Sequence, residues 1–207
     1  MSHRGEQSKK IITFADRTTM ARLNDFINRI DFGPLQRYCE EHGEPYRYVK
    51  GECLVAQGAV CRWFAVVRSG YFNFCTVASD GSLCVTGFSF AGEVTTDYVR
   101  SFLFGKPCLT SIIAGEDTDV LRIPLADIRK IGMTPQQALF ESATSVLLDE
   151  AYRRYLAFYS KTPSERYRDL IVRCPEDIIR LPFNELASYL SVSRRQFLRI
   201  RETVNRK

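Results

Sequence analysis

Three arginines and a glutamine lie within six residues near the carboxyl end of the sequence, at Arg194, Arg195, Gln196 and Arg199. Apolar residues recur at helical spacing behind them, at Phe197, Ile200 and Val204. The spacing predicts an amphipathic helix whose guanidinium groups face solvent. A guanidinium is a planar, permanently charged donor that suits phosphate oxygens and the guanine edge. We therefore expect this face to bind a polyanion.

A shorter helical pattern precedes the basic one. Its apolar residues are Leu186, Ala187 and Leu190, Ser191-Val192 interrupts it, and Ser193 is placed as the N-cap of the second helix. The pair predicts a helix-turn-helix whose second helix enters a DNA major groove. The predicted DNA-binding residues are Ser193, Arg194, Arg195, Gln196, Arg199 and Arg201. The arginines at 194, 195 and 199 are expected on base edges, and Gln196 and Arg201 on phosphates.

The excess positive charge lies at the same end of the chain. Residues 191–207 hold six basic residues and one acid, whereas residues 1–190 hold 23 of each, in a chain of net charge +5. A solvated helix face usually mixes both signs, so a one-sided cluster favours a polyanionic partner. The alternative is a basic tail that only aids solubility.

Composition excludes several other classes of protein. A chain of 207 residues that is 45% hydrophobic can form a substantial core. The sequence has neither a transmembrane run nor a signal-peptide core, so we expect a cytoplasmic protein without membrane contact. Seven cysteines without a C-x-x-C pair, and two histidines, predict no disulfide, metal site or cofactor. No catalytic triad, metal motif or phosphate loop is present, so we expect no enzyme.

A glycine-punctuated β region between Tyr46 and Ile123 must position the basic helix. The predicted strands are Tyr46–Lys50, Cys53–Ala56, Trp63–Arg68, Tyr71–Val77, Leu83–Phe90, Leu109–Ala114 and Val120–Ile123. Strands so short and so closely spaced favour a small antiparallel barrel or jelly roll. Asp80-Gly81 predicts a tight primed hairpin turn, and Thr95–Phe104 a short inserted helix.

Helical patterns flank the β region. Short helices are predicted over 18–30, 35–41, 125–131 and 165–174, and a long one over 136–160. The long helix carries one apolar stripe, formed by Leu139, Ala143, Val146, Leu147, Ala151, Tyr155 and Phe158. About 25 residues span roughly 37 Å, more than a small barrel needs. Part of the stripe is therefore expected to pack on a second copy of the chain, although the whole stripe could instead cover its own barrel.

This order of parts resembles the Crp/Fnr family of bacterial transcription regulators. The motifs are Lys50-Gly51-Glu52, Gln57-Gly58, Ser69-Gly70, Gly92-Glu93-Val94 and Glu185–Ile200. The resemblance implies an α+β fold with an N-terminal double-stranded β-helix of the jelly-roll, cyclic-nucleotide-binding type, a long dimerisation helix and a C-terminal helix-turn-helix. The corresponding divisions are a flexible terminus (1–17), a sensor domain (18–133), the dimer helix (134–160) and the DNA-binding domain (161–207).

The function that the resemblance implies is that of a homodimeric transcription regulator recognising a palindromic site through residues 193–204. The expected partners are double-stranded DNA and a second copy, with a small-molecule effector and RNA polymerase as further candidates. The competing hypothesis is a ligand-sensing module that acts through protein–protein contacts, with vestigial DNA binding.

The sequence departs from the family at three places. The Arg-Ser pair that holds a cyclic phosphate falls at Cys108-Leu109, and neither residue supplies a cation, so cyclic AMP is not expected to bind in the usual mode unless Arg100 or Lys106 substitutes. The candidate ligand-binding residues are Gly92, Glu93, Cys108, Leu109 and Thr110. No cysteine precedes Cys39, which argues against the iron–sulfur sensor, and Ser191 stands where the family commonly has glycine.

Overall fold

The computed structural model describes residues 22–128, 130 and 133–206. The segment expected to be flexible, residues 1–17, lies outside the described residues. The β region forms two four-stranded antiparallel sheets, ordered β1-β8-β3-β6 and β2-β7-β4-β5. The strands are β1 (Glu44–Tyr48), β2 (Cys53–Val55), β3 (Trp63–Ser69), β4 (Tyr71–Val77), β5 (Leu83–Phe90), β6 (Val94–Thr95), β7 (Ser111–Ala114) and β8 (Thr118–Pro124). The predicted jelly-roll architecture is thereby confirmed.

The core between the two sheets is formed by the inward-facing residues of both, and β4 shows the alternation most clearly. Phe64 and Val66 on β3 and Phe72 on β4 are almost wholly buried between the sheets, together with Ile112 on β7. The alternate residues of β4, such as Tyr71 and Cys75, face the other side and belong to a second apolar cluster. The second sheet is therefore covered on both faces.

One local prediction in the β region is wrong, and another is confirmed as a helix but wrong in its bounds. The β4–β5 hairpin closes through residues 78–82, with Ala78 N–H donating to the Ser82 carbonyl (2.8 Å) and only Gly81 at positive φ, so the turn is not the two-residue primed type. Thr95 ends β6 rather than starting a helix. The inserted helix is a π-helical segment, Tyr98–Leu103, whose first amides are capped by the Asp97 carboxylate.

The helix predicted over 18–30 is also wrong where it is described, since only a 3₁₀ segment, Asp25–Arg29, is present. The polar side chains at its start make other hydrogen bonds. Asn24 Nδ2 donates to the Phe88 carbonyl (2.9 Å) and to Glu93 Oε2 (2.7 Å), and the Leu23 amide donates to Asp177 Oδ2 (2.8 Å). Residues 22–24 thus connect the β region with the C-terminal helices.

The described helices are α1 (Gly33–His42), α2 (Leu125–Ile128), α3 (Met133–Ser160), α4 (Pro163–Arg173), α5 (Pro175–Arg180), α6 (Phe183–Tyr189) and α7 (Arg194–Asn205). α4 begins with a capping box in which Thr162 and Glu165 satisfy each other's backbone amides. α5 has no counterpart among the predicted helices; it begins at Pro175, in the first turn, where a proline is tolerated because its position needs no N–H donor.

The apolar stripe of α3 divides into two parts. Ala143 is fully buried, and Val146 and Leu147 pack against the β core. Tyr155 and Phe158 were expected in the same stripe, but they are 54% and 41% exposed. The carboxyl-terminal half of α3 therefore extends past the β region with its apolar residues uncovered.

Candidate nucleic-acid interface and effector cavity

α6 and α7 form the two helices of a compact helix-turn-helix. Leu186 and Ala187 of α6 and Phe197 of α7 are buried together, and Tyr167 of α4 meets the Phe197 ring edge-on at 5.2 Å between ring centroids. Ser191 lies in the turn with φ 56°, a left-handed conformation. Because one face of α7 is packed against α4 and α6, its opposite face points to solvent.

The opposite face of α7 carries the predicted base-contacting residues. Arg194, Arg195, Gln196 and Arg199 are all exposed. Within the part of the chain that the structure describes, no carboxylate lies within 4.0 Å of these three guanidinium groups. Three unneutralised cations thus project from the amino-terminal half of one helix, where the helix dipole adds further positive potential.

The other two predicted DNA-binding residues have structural contacts. The Ser193 hydroxyl accepts from the Gln196 amide (3.2 Å) as the N-cap of α7. The Arg201 guanidinium stacks 4.4 Å from the centre of the Phe183 ring and is half-buried. Arg201 therefore lies against α6, apart from the exposed arginines.

The helix-turn-helix packs on the outer face of the second β-sheet, which the sequence did not reveal. Tyr71 donates its hydroxyl to Glu185 Oε2 (3.0 Å), and the Val85 amide donates to Ser188 Oγ (2.8 Å). Burial raises the pKa of Glu185 above its ordinary value. The outward Phe88 and Tyr71 were signals of this interface, because an exposed antiparallel sheet face is normally polar.

A cavity of about 520 Å³ lies between the β region and α3. Its walls are mainly apolar and aromatic, formed by Phe26, Ile27, Phe32, Phe74, Phe88, Tyr98, Val99, Leu109, Leu147 and Ala151 among others. The polar residues of the lining include Thr86, Ser89, Thr110, Arg100 and Arg154. The Ser89 hydroxyl is buried and has no hydrogen-bond partner among the described residues.

The candidate ligand residues divide around this cavity. Leu109 and Thr110 line it, whereas Gly92, Glu93 and Cys108 do not. Glu93 is 6% exposed, its pKa is raised by burial, and its carboxylate accepts from the Phe90 amide (3.0 Å) and from Asn24. Cys108 is buried with its sulfur 3.2 Å from Ser101 Oγ. Three of the five candidates thus lie outside the cavity lining.

Of the two cations proposed as substitutes for the missing arginine, only Arg100 lies on the cavity wall. Its Nε donates to the Pro107 carbonyl (2.6 Å), while the Lys106 amine sits 5.9 Å from the Phe104 ring centre. Arg154, contributed by α3, is the other basic residue of the lining and was missed from the sequence.

Among the described residues, no group of three histidine, cysteine, aspartate or glutamate side chains could hold a metal ion. No helix in those ranges is long and apolar enough to cross a membrane.

The cyclic nucleotide-binding domain family matches residues 45–134. No curated protein matches the sequence significantly. Among solved structures, FixK2 from Bradyrhizobium japonicum superposes with a TM-score of 0.66 at 18% identity, covering 79% of this chain and 85% of that chain. The c-di-GMP-responsive global regulator CLP of Xanthomonas campestris gives a TM-score of 0.61 at 18% identity, covering 84% of this chain and 92% of that chain.

A transcriptional regulator of the CRP/FNR family from Thermus thermophilus gives a TM-score of 0.58 at 15% identity, covering 79% of this chain and 86% of that chain. Over the covered residues these structures share the fold of this chain. Residues 45–134 therefore match the cyclic nucleotide-binding domain family, and the described part of the chain has the fold of the Crp/Fnr-type regulators to which it is similar, as its motifs predicted.

Proposed function

We propose that the chain is a homodimeric transcription regulator that recognises a palindromic DNA site through α7. The observation that carries the proposal is the exposed triplet Arg194, Arg195 and Arg199 on a helix whose other face is buried. In this arrangement the triplet contacts base edges, with guanine O6 and N7 as the best match for a guanidinium fork. Gln196 and Arg201 are assigned to the neighbouring phosphates.

The exposed half of α3 supports the dimer. Its uncovered apolar residues are Leu148, Tyr152, Tyr155, Leu156 and Tyr159, with 44–76% of their surfaces exposed. The positions 148, 152, 155 and 159 alternate steps of four and three, the spacing of a two-stranded coiled-coil seam. Pairing two copies along this seam removes these side chains from water and gives the two-fold symmetry that a palindrome requires.

The cavity supports an effector other than a cyclic nucleotide held in the usual mode. Cys108 is buried behind the wall and Leu109 supplies only an apolar surface, so neither neutralises a phosphate. The aromatic walls suit an apolar small molecule. Its effect on transcription would be exerted in the cytoplasm, on a promoter-bound dimer in contact with RNA polymerase.

The test is selection of binding sites from a randomised duplex library by the full-length chain, followed by titration on the selected site. We expect a two-fold symmetric consensus and a complex containing two chains per duplex. A chain that enriches no sequence, or that binds as a monomer, contradicts the proposal. Adding cyclic AMP should leave the affinity for the selected site unchanged.

A further inference from the structure

A second cavity lies at the junction of α3, α4 and α6 and adjoins the β-domain cavity at Arg154, which lines both. Its volume is about 360 Å³, within the range of small-molecule sites. The lining includes Arg153, Arg154 and Phe158 from α3, Lys161 just after it, Arg166, Asp169 and Arg173 from α4, and Tyr189 and its successor Leu190 at the end of α6. We call it the hinge cleft.

The hinge cleft holds more positive charge than its own acids neutralise. Five of its lining residues are basic and two, Glu150 and Asp169, are acidic. Asp169 is paired with Lys161, at 2.5 Å between Oδ2 and Nζ. Arg154, Arg166 and Arg173 have no carboxylate within 4.0 Å in the described ranges. Three guanidinium groups thus converge on the cleft without a counter-ion.

Arg166 shows that this charge is not simply solvated. Its two terminal nitrogens donate to the carbonyls of Lys161 (2.7 Å) and Leu190 (2.9 Å), and its Nε is buried without a hydrogen-bond partner among the described residues. Desolvation lowers the pKa of Arg166. A cation removed from water without a neutralising partner is costly, so an anion in the cleft would be favoured.

Two of the cleft guanidinium groups are in contact with aromatic rings. Arg154 lies 4.4 Å from the centre of the Tyr189 ring, and Arg166 lies 4.6 Å from the centre of the Phe158 ring. Guanidinium planes and aromatic faces are the surfaces on which nucleobases stack, while unpaired guanidinium forks bind phosphate. The lining therefore matches a planar heterocycle that carries a phosphate.

The hinge cleft remains open in the proposed dimer. At 3.6 residues per turn, the cleft residues of α3, at 150, 153, 154, 157 and 158, are centred on the side of the helix opposite the centre of the seam at 148, 152, 155 and 159. A partner packed along the seam leaves the cleft uncovered. We infer that the hinge cleft binds a nucleotide, with Arg173 holding its phosphate and its base lying on the face of the Arg154 guanidinium that Tyr189 does not cover.

The inference is tested by isothermal titration of the full-length chain, without DNA, with adenosine and guanosine 5′-monophosphates. Adenosine and inorganic phosphate are the comparison probes. We expect a nucleotide to bind with about tenfold or greater preference over either fragment, because charged hydrogen bonds and stacking both contribute. If adenosine binds as tightly as its monophosphate, the guanidinium groups hold no phosphate and the inference fails.

Arg154→Gln and Arg173→Gln should each weaken nucleotide binding by about tenfold. Arg168→Gln is the matched control, because Arg168 is exposed on α4 and does not line the cleft. Equal losses in all three variants, or no nucleotide binding by the unmodified chain, overturn the inference. If the cleft variants instead weaken binding to mixed-sequence duplex DNA while nucleotides do not bind, the cleft holds a DNA backbone and not a free nucleotide.

Discussion

At the scale of single residues, the turn between α6 and α7 depends on Ser191. In the described part of the chain it is the only non-glycine residue at positive φ, and its amide donates to the Ser188 carbonyl (2.9 Å). The next amide, of Val192, donates to the Ala187 carbonyl (3.0 Å), so the last carbonyls of α6 are satisfied. The turn thus forms its hydrogen bonds while Ser191 adopts a strained left-handed conformation.

Ser191→Gly should stabilise the chain, because glycine adopts this φ without the side-chain clash that serine meets. The expected gain in the free energy of unfolding is up to about 1 kcal/mol. Urea denaturation followed by circular dichroism measures it. Ser191→Ala is the control, since alanine keeps the strain, and a glycine variant no more stable than the alanine variant would refute this account.

Arg199→Ala should weaken binding to the specific site by about 1–3 kcal/mol and relax the preference at one base pair. The reason is the loss of a guanidinium from the exposed face of α7 while the buried face is untouched. Gel-shift titration on selected and mutated sites measures both effects. Arg168→Ala is the control, because it removes an equal charge from an exposed position on α4 and should leave the base preference intact. If Arg199→Ala leaves specific binding unchanged, the assignment of Arg199 to a base edge is wrong.

At the scale of elements, α3 has two roles. The helical spacing of its apolar residues predicted a single stripe and did not distinguish them. Its amino-terminal half packs on the β core through Ala143, Val146 and Leu147. Its carboxyl-terminal half presents Tyr152 and Tyr155, stacked at 6.2 Å between ring centroids, to solvent. The second half is the part available to a partner.

Tyr155→Glu should convert the proposed dimer to a monomer at micromolar concentrations, because it places a charge in an apolar seam where the partner's copy faces it. Light scattering coupled to gel filtration gives the mass. Arg153→Glu changes charge on another side of α3 and should leave the mass unchanged. A Tyr155→Glu protein of unchanged mass would argue that the seam lies elsewhere.

Sequence patterns correctly predicted those strands and helices whose ends are set by neighbouring residues. The bounds of β4 and β5 agree with prediction because the turn glycines Gly70, Gly81 and Gly92 delimit both strands, and α7 begins where the Ser193 cap indicated. The helix predicted over 18–30 failed because Asn24 bonds to Phe88 and Glu93, which lie more than 60 positions away. Arg154 was missed for the same reason, since the cavity that it lines is formed by the packing of distant segments.

At the scale of the whole molecule, Glu185 makes the contact between the helix-turn-helix and the β-sheet sensitive to pH. Its pKa is raised in the folded chain, so its contribution to stability is fully present below its unfolded pKa and is lost as the pH rises through its folded pKa. Glu185→Gln remains neutral and can still accept from Tyr71. Its stability relative to the parent should therefore increase as the pH rises from about 4 to 7.

Thermal unfolding at intervals across that pH range measures the difference. Glu176→Gln, at an exposed position on α5, is the control. A Glu185→Gln advantage that does not grow with pH would show that burial of the carboxylate is not the cause.

The salt dependence of DNA affinity distinguishes the DNA-binding regulator from the module that acts through protein–protein contacts. If the basic face of α7 binds DNA phosphates, the logarithm of the affinity should fall linearly with the logarithm of the salt concentration, by about 0.9 for each phosphate neutralised. Fluorescence anisotropy with a labelled duplex between about 50 and 200 mM salt measures the slope. A flat response would favour the protein–protein alternative.

The second apolar cluster joins Tyr71, Val85 and Phe88 of the β-sheet with Leu186 and Phe197 of the helix-turn-helix. An excised fragment spanning residues 161–207 would have to expose the side chains that meet this sheet. We therefore expect the fragment to be unstable when expressed alone, and the intact chain to give a single calorimetric transition. The two halves share one cooperative unit, so a ligand that stabilises the β region would also raise the melting temperature of the DNA-binding helices.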